Sequence, residues 1–160
     1  MRNLIPHFIQ QQFEAGNEHA NFDAFTLFID LSGFTSLTET LMKQGKEGAE
    51  QLSAHLNGIF EPLVNLVYCE GGFIPYFAGD SFMAIFPKFS DQDTPEVLIK
   101  TAELLRDFFQ KNGVRKTRFG DFYFGIKIGL GEGDVEWGIV GNKHKSFYFR
   151  GKAINDAAFS

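Results

Sequence analysis

The run of apolar residues Ala24–Ile29 most constrains the fold, because it is nearly continuous, is bounded by polar residues and leads directly into Asp30. Such a run predicts a buried β-strand that ends at Asp30. Apolar residues then recur at helical spacing over Phe34–Leu41 and again over Leu52–Leu66. This change of period predicts that two amphipathic helices follow the strand.

The rest of the chain predicts further short strands and helices. Phe73–Phe77 and Ser81–Phe86 flank the sequence Ala78-Gly79-Asp80, which predicts a tight β-hairpin with Asp80 at its tip. A helix is predicted after this hairpin and ends near Gly113. The remaining predicted elements are a strand over Phe122–Leu130, its hairpin partner over Val135–Val140, a short strand over Phe147–Phe149 and a helix from Ala153.

The order strand, helices, hairpin, helix, strands predicts an α+β fold. We expect a ferredoxin-like sandwich in which helices pack on one face of a mainly antiparallel sheet. Residues 1–22 carry apolar residues at helical spacing from Leu4 to Phe13 and predict an N-terminal lead-in helix. No repeat, low-complexity tract or linker interrupts residues 23–160, so we treat them as one domain.

Charge and cysteine content disfavour several classes of protein. The 160 residues include 15 Lys and Arg against 20 Asp and Glu, and the net charge of −5 argues against nucleic acid as a partner. The single Cys69 cannot pair within the chain, which fits a reducing compartment. No apolar run approaches the ~18 residues of a membrane span. We therefore expect a cytoplasmic protein without a membrane span.

Two carboxylates are predicted at neighbouring strand ends. If the hairpin lies beside the first strand, Asp30 and Asp80 face the same point. The segment Leu31–Thr35 contains a glycine turn that leads into a helix N-terminus, where free backbone N–H groups attract phosphate oxygens. This pattern indicates Mg²⁺-assisted phosphoryl transfer, because hard divalent cations prefer carboxylate and phosphate oxygens. The structural alternative is that Gly79-Asp80 only forms the turn and Asp30 only caps the next helix.

The glycine cluster Gly129, Gly131 and Gly133 does not indicate a dinucleotide-binding loop. Such a loop opens a helix, whereas this cluster precedes acidic residues and a predicted strand. We therefore interpret these glycines as turn and bulge residues.

Three motifs together resemble a known family. Phe28–Thr35 and Phe77–Ala84 resemble the two metal-binding signatures of class III nucleotidyl cyclases, the adenylate and guanylate cyclase family, and the soluble, bicarbonate-responsive type is most similar. Gly129–Gly141 is similar to the family's glycine pattern. The resemblance covers residues 20 to 159. It implies the class III cyclase fold, in which two domains pair head to tail and each active site spans their interface.

The resemblance implies a role for each matching residue. Asp30 and Asp80 would hold two Mg²⁺ or Mn²⁺ ions, and the Leu31 carbonyl would add a ligand. Lys127 stands where the family carries a triphosphate-binding Arg, and Lys lacks the bidentate fork of that residue. Asn155 matches the Asn that orients the ribose. The backbone amides that would meet the triphosphate are those of Ser32, Gly33, Phe34 and Thr35.

The complementary half of the family's active site is largely missing. The two base-selecting positions hold Tyr76 and Tyr148, and Phe159 replaces the transition-state Arg. Such an Arg is among the largest electrostatic contributions to phosphoryl transfer. The resemblance therefore implies the metal-binding half of a two-part cyclase, whose partner domain, in cis or in trans, supplies the missing groups.

The expected reaction is the conversion of a nucleoside triphosphate, with ATP favoured by the resemblance, into a 3′,5′-cyclic nucleotide and pyrophosphate. The chain is expected to form a weak homodimer and to be C-terminally truncated relative to the family domain. The rival interpretation is an inactive cyclase homology domain that serves as a dimerisation or nucleotide-sensing module. A diguanylate cyclase is a weaker alternative, because Ser81 stands where its turn carries a second acid.

Overall fold

The structure, a computed structural model, describes residues 5–90 and 93–160. The elements in chain order are α1 (His7–Glu14), β1 (His19–Ser32), α2 (Phe34–Met42), α3 (Gly45–Cys69), β2 (Phe77–Ala78), β3 (Ser81–Pro87), α4 (Glu96–Asn112), β4 (Val114–Thr117), β5 (Gly120–Tyr123), β6 (Gly125–Val140), β7 (Ser146–Arg150) and α5 (Lys152–Phe159). Within the described residues, no helix is long and apolar enough to cross a membrane.

The main sheet has five strands in the order β2-β3-β1-β6-β7, and every neighbouring pair is antiparallel. The strand predicted from the apolar run is β1, and it lies at the centre of this sheet. It pairs with β3 on one side and with β6 on the other, and the pairing with β6 extends over 14 residues. Strands β4 and β5 form a separate two-stranded hairpin. The predicted α+β fold with a mainly antiparallel sheet is confirmed.

Helices cover both faces of the sheet, not the single face expected. The odd-numbered residues of β1 pack against α2, α3 and α4, and we call this side the α3 face. The even-numbered residues point to the opposite side, the α5 face, where α1 and α5 pack. The expectation of one covered face was wrong because β1 is apolar at consecutive positions, and successive strand side chains point to opposite faces. Each face therefore needs its own apolar layer.

In the segment predicted as two strands joined by a glycine turn, Phe122 and Tyr123 belong to β5, and Gly125–Val140 is the single long strand β6. A Cβ atom on Gly129 would lie 1.9 Å from the Ala157 carbonyl oxygen, and one on Gly131 would lie 2.0 Å from that of Ala153. The turn prediction was therefore wrong: these glycines lie within the strand, where they allow α5 to approach the sheet closely.

Other element bounds differ more modestly from the predictions. β1 begins at His19, ahead of the predicted start at Ala24, and so extends into the segment 1–22. The lead-in helix is present as α1, while Leu4 lies outside the described residues. The first hairpin strand is only β2, although Phe73 still bridges to Ile85. The β4–β5 hairpin was not predicted, since charged residues obscure its alternation.

Candidate active site

The structure places the backbones of Asp30 and Asp80 next to each other at one end of the sheet. Asp30 pairs with Ser81 of β3, and the backbone N–H of Leu31 donates to the Asp80 carbonyl oxygen at 3.1 Å. On its other side Asp30 pairs with Lys127 of β6. Directly paired residues point to the same face of a sheet. The side chains of Asp30 and Lys127 therefore both project from the α5 face.

The hairpin turn that carries Asp80 is built by local contacts. Gly79 has φ +64°, a conformation that side chains rarely adopt. The Ser81 hydroxyl donates to the Ala78 carbonyl oxygen at 2.8 Å, and Phe77 pairs with Phe82 across the turn. These contacts leave the Asp80 side chain exposed at the tip, as the sequence predicted.

The carboxylates of Asp30 and Asp80 accept no hydrogen bond and form no ion pair within the described residues. In the same part of the chain, no three His, Cys, Asp or Glu side chains cluster to hold a metal ion. Two unpaired carboxylates do not make a closed all-protein cage. They do fit Mg²⁺ or Mn²⁺, which bind through one or two carboxylates and complete their coordination with water and substrate phosphates.

The turn after Asp30 presents backbone donors beside these carboxylates. Gly33 is the N-cap residue of α2, has φ +98°, and provides no side-chain cap. The first N–H groups of α2 are therefore available to an anion such as phosphate. A groove of about 500 Å³ runs from this turn to the hairpin tip. It is lined by Phe34, Thr35, Thr38, Glu39, Leu56, Phe60, Gly79 and Asp80.

Asn155 and Phe159 do not join Asp30 and Asp80 within one chain. Both are exposed on α5, and Phe159 is 90% exposed. The opposite side of the helix, with Ala153 and Ala157, packs on β6. The side chain expected to orient a ribose therefore faces away from its own sheet.

Of the two base-selecting positions, Tyr148 lies apart from the carboxylates, whereas Tyr76 is four residues before Asp80 in the same hairpin segment. Tyr76 is exposed just before β2. Tyr148 lies in β7, which pairs with β6 only from Glu136 onward. At about 3.3 Å per strand residue, Glu136 is roughly 30 Å along β6 from Lys127. The structure thus brings the predicted metal and triphosphate positions together at one end of the sheet and leaves Tyr148 away from them.

A polar cluster around Glu136 was missed by sequence reasoning. The Tyr148 hydroxyl donates to one Glu136 carboxylate oxygen at 2.8 Å, and Arg150 donates to both oxygens at 2.8 and 2.9 Å. The hydrogen bonds from Tyr148 and Arg150 lower the pKa of Glu136, and the same Tyr148 bond raises the pKa of Tyr148. The cluster depends on the β6–β7 register, which no local pattern in the sequence indicates.

Comparison with known proteins identifies the family. The model of the adenylate and guanylate cyclase catalytic domain matches residues 18–159. Adenylate cyclase type 10 of Oryctolagus cuniculus is 33% identical over 141 residues, and that of Rattus norvegicus is 31% identical over 141 residues. Each alignment covers 84% of this chain but only 8% of the relative. The structure of a bacterial light-regulated adenylyl cyclase aligns with TM-score 0.72 at 23% identity, covering 98% of this chain and 44% of that one.

The match extends over most of the chain and includes both predicted metal motifs. This chain therefore belongs to the family of adenylate and guanylate cyclase catalytic domains. The fold predicted from the three motifs is confirmed by the structural alignment. Members of this family generally use divalent metal ions.

Proposed function

We propose that this chain is the metal-binding half of a nucleotide cyclase that converts ATP into cAMP and pyrophosphate. The observation that carries the proposal is the adjacency of Asp30 and Asp80, unpaired, beside the uncapped N-terminus of α2. Similarity to adenylate cyclases favours ATP over GTP. Because the chain spans 8% of the length of those relatives, the activity of the whole protein is part of the proposal.

Each group of this chain has a distinct task in the proposed reaction. Asp30, Asp80 and the Leu31 carbonyl hold two Mg²⁺ or Mn²⁺ ions. Bound there, the ions would supply Lewis-acid chemistry that makes the ribose 3′-hydroxyl more acidic and offsets the charge of the departing pyrophosphate. The backbone amides of Ser32–Thr35 bind the triphosphate oxygens. Lys127, opposite Asp30 in the sheet, adds a positive charge on the same face.

A second cyclase domain, in cis or in trans, supplies the rest of the proposed site. It provides the base-selecting pair, the Asn that orients the ribose and the Arg that stabilises the transition state. Phe159 cannot provide that positive charge, so two copies of this chain make only incomplete sites. The same pair of domains has a second site, in which the partner domain holds the nucleotide. There Asn155, which faces outward on α5, reaches that nucleotide. We place the protein in the cytoplasm, consistent with the single, unpaired Cys69.

The proposal is tested by mixing the purified chain with the second catalytic domain of an adenylate cyclase type 10 and measuring cAMP and cGMP by mass spectrometry. We expect Mn²⁺-dependent cAMP from the mixture and no product from the chain alone. Asp80→Asn should abolish the product. Asp121→Asn, which removes a carboxylate at the exposed end of the β4–β5 hairpin, is the matched control and should retain it.

The second candidate is an inactive cyclase homology domain that dimerises or senses nucleotide. It is favoured by the Tyr148 hydroxyl, which is already bonded to Glu136, and by the apolar Phe159. A mixture that binds ATP with Mn²⁺ but forms no cyclic nucleotide would support this candidate and contradict the cyclase proposal.

A further inference from the structure

We propose that Arg115 is a positioning residue, which fixes the β4–β5 hairpin on α3 so that the hairpin holds the turn Ser32–Thr35 in its triphosphate-binding geometry. This inference rests on the proposed function, because it assigns a support to the same site. Arg115 is on β4, and it lies outside every motif that led to the family assignment.

The C-terminal end of the hairpin packs directly against the turn. A Cβ atom on Gly33 would lie 2.1 Å from the Tyr123 carbonyl oxygen, so the two backbones are in close contact. The residues that follow Gly33 and Tyr123 also meet, since the rings of Phe34 and Phe124 have centroids 4.7 Å apart. A displacement of the hairpin therefore displaces Gly33, the N-cap residue of α2, and Phe34, which lines the groove of the candidate site.

Among the residues that the structure describes, none provides backbone pairing between the hairpin and the main sheet. An isolated two-stranded hairpin is only marginally stable, so side-chain contacts must fix its position. At its N-terminal end the Gly113 carbonyl oxygen accepts a 2.7 Å hydrogen bond from Phe124 N–H, which closes the hairpin on itself. The contacts that join it to another element are therefore decisive for where it lies.

Arg115 provides such a contact with the middle of α3. One of its terminal nitrogens donates to the Gly58 carbonyl oxygen at 3.1 Å. Its Nε is buried and has no hydrogen-bond partner within the described residues. Partial burial, together with the nearby Arg115 charge, lowers the pKa of His55, one helical turn earlier on α3. The half-buried guanidinium thus lies against the helix, with its Nε covered.

The path from Arg115 to the turn is short and rigid. Its strand partner Phe122 is buried in the core of the α3 face. Phe60, two residues after Gly58 on α3, contacts the Phe34 ring with a centroid distance of 5.4 Å. Phe124, directly after the hairpin, and α3 therefore both touch Phe34, and Arg115 fixes the hairpin relative to α3. A second link, between Arg118 and Glu47, is exposed, and exposed ion pairs contribute little.

The test uses the purified chain with Mn²⁺ and inorganic tripolyphosphate, so that it needs neither a base site nor catalysis. Electron paramagnetic resonance measures Mn²⁺ binding, and titration calorimetry measures tripolyphosphate affinity at fixed Mn²⁺. Arg115→Met removes the donor, and Arg115→Lys restores a donor of similar reach. Lys116→Met is the matched control, because it removes a positive charge from the exposed side of the same strand.

We expect Arg115→Met to weaken tripolyphosphate binding about tenfold, equivalent to about 1.4 kcal/mol, while Mn²⁺ binding stays unchanged. Arg115→Lys should recover most of the loss, and Lys116→Met should bind as wild type does. Wild-type tripolyphosphate affinity in Arg115→Met would overturn the inference. If that variant fails to fold, Phe124→Leu tests the next step of the path, the contact of the Phe124 ring with Phe34 in the turn. The role of Arg115 depends on that contact, so unchanged tripolyphosphate affinity in Phe124→Leu would overturn the inference as well.

Failure of the proposed function gives a different result. In that case the wild-type chain itself binds no tripolyphosphate at any Mn²⁺ concentration, and the role of Arg115 is contradicted together with the site. Wild-type binding that is insensitive to Arg115→Met contradicts only the positioning role.

Discussion

Replacing Gly131 by Ala should loosen the packing of α5 on the sheet. The new methyl group would lie 2.0 Å from the Ala153 carbonyl oxygen, 2.7 Å from the Thr26 hydroxyl oxygen and 2.8 Å from the Ala157 backbone nitrogen. Two of these neighbours are backbone atoms of α5, so they cannot move without the helix. The helix must rise from β6 to accept the substitution.

The expected cost follows from the contacts that this movement disturbs. Overpacking a core position costs about 1–3 kcal/mol. The buried bond from the Thr26 hydroxyl to the Ala153 carbonyl, 2.6 Å long, is lost or stretched, at a further cost of about 1 kcal/mol. The reduced flexibility of the unfolded chain offsets about 0.4–1 kcal/mol. The net destabilisation is about 2 kcal/mol, or a fall in Tm of roughly 4–8 °C.

Urea unfolding followed by circular dichroism measures this difference. Gly58→Ala is the matched control, because the added methyl group at this position in α3 meets only the Arg115 side chain, at 3.8 Å. That substitution should stabilise the helix by about 0.5–1 kcal/mol. Equal stability of Gly131→Ala and wild type would refute the assignment of Gly131 as a close-approach residue.

Three further predictions concern other parts of the molecule. Thr26→Val, which leaves the Ala153 carbonyl without its donor, should lower the free energy of unfolding by about 1–3 kcal/mol in urea titration. The native-state pKa of Glu136 is lowered, so the ionised Glu136 carboxylate stabilises the fold above its unfolded-state pKa, and this stabilisation is lost as pH falls through the native-state pKa. The variant Glu136→Gln should therefore lose less stability on acidification than the wild-type chain does. Sedimentation should show weak self-association, and cross-linking should join the regions of Asp30 and Asn155 from different copies; a strict monomer at high concentration would contradict this.

The carboxylate site was predictable because its signals are local. An apolar run leads into Asp30, two residues before the end of β1, and a turn contains Gly79-Asp80. Antiparallel pairing of β1 with β3 brings these two positions together. The glycine turn before α2 likewise depends only on residues that are consecutive in the sequence. Where the chemistry depends on strand ends and helix starts, the sequence contains most of the information.

The parts that were mispredicted depend on contacts between distant residues. Gly129 and Gly131 favour a turn when read locally, and only the approach of α5 explains their place within a strand. The position of Tyr148 beside Glu136 follows from the β6–β7 register, which alternation alone does not determine. The β4–β5 hairpin escaped prediction because charged residues obscure its alternation, and its packing through Phe122 depends on residues far along the chain.

The proposed joint binding of a divalent ion and nucleotide by Asp30 and Asp80 is most directly tested by thermal unfolding with Mn²⁺ and a non-hydrolysable ATP analogue. At about 100 times the dissociation constant, ligand should stabilise the fold by about 2.7 kcal/mol, a rise in Tm of roughly 5–10 °C. Asp80→Asn, which retains a residue suited to the turn, should erase this shift and leave the ligand-free Tm nearly unchanged, while Tyr76→Ala should keep it. A wild-type Tm that ignores Mn²⁺ and the analogue, with Asp80→Asn losing several kcal/mol in their absence, would show that the two carboxylates are only structural.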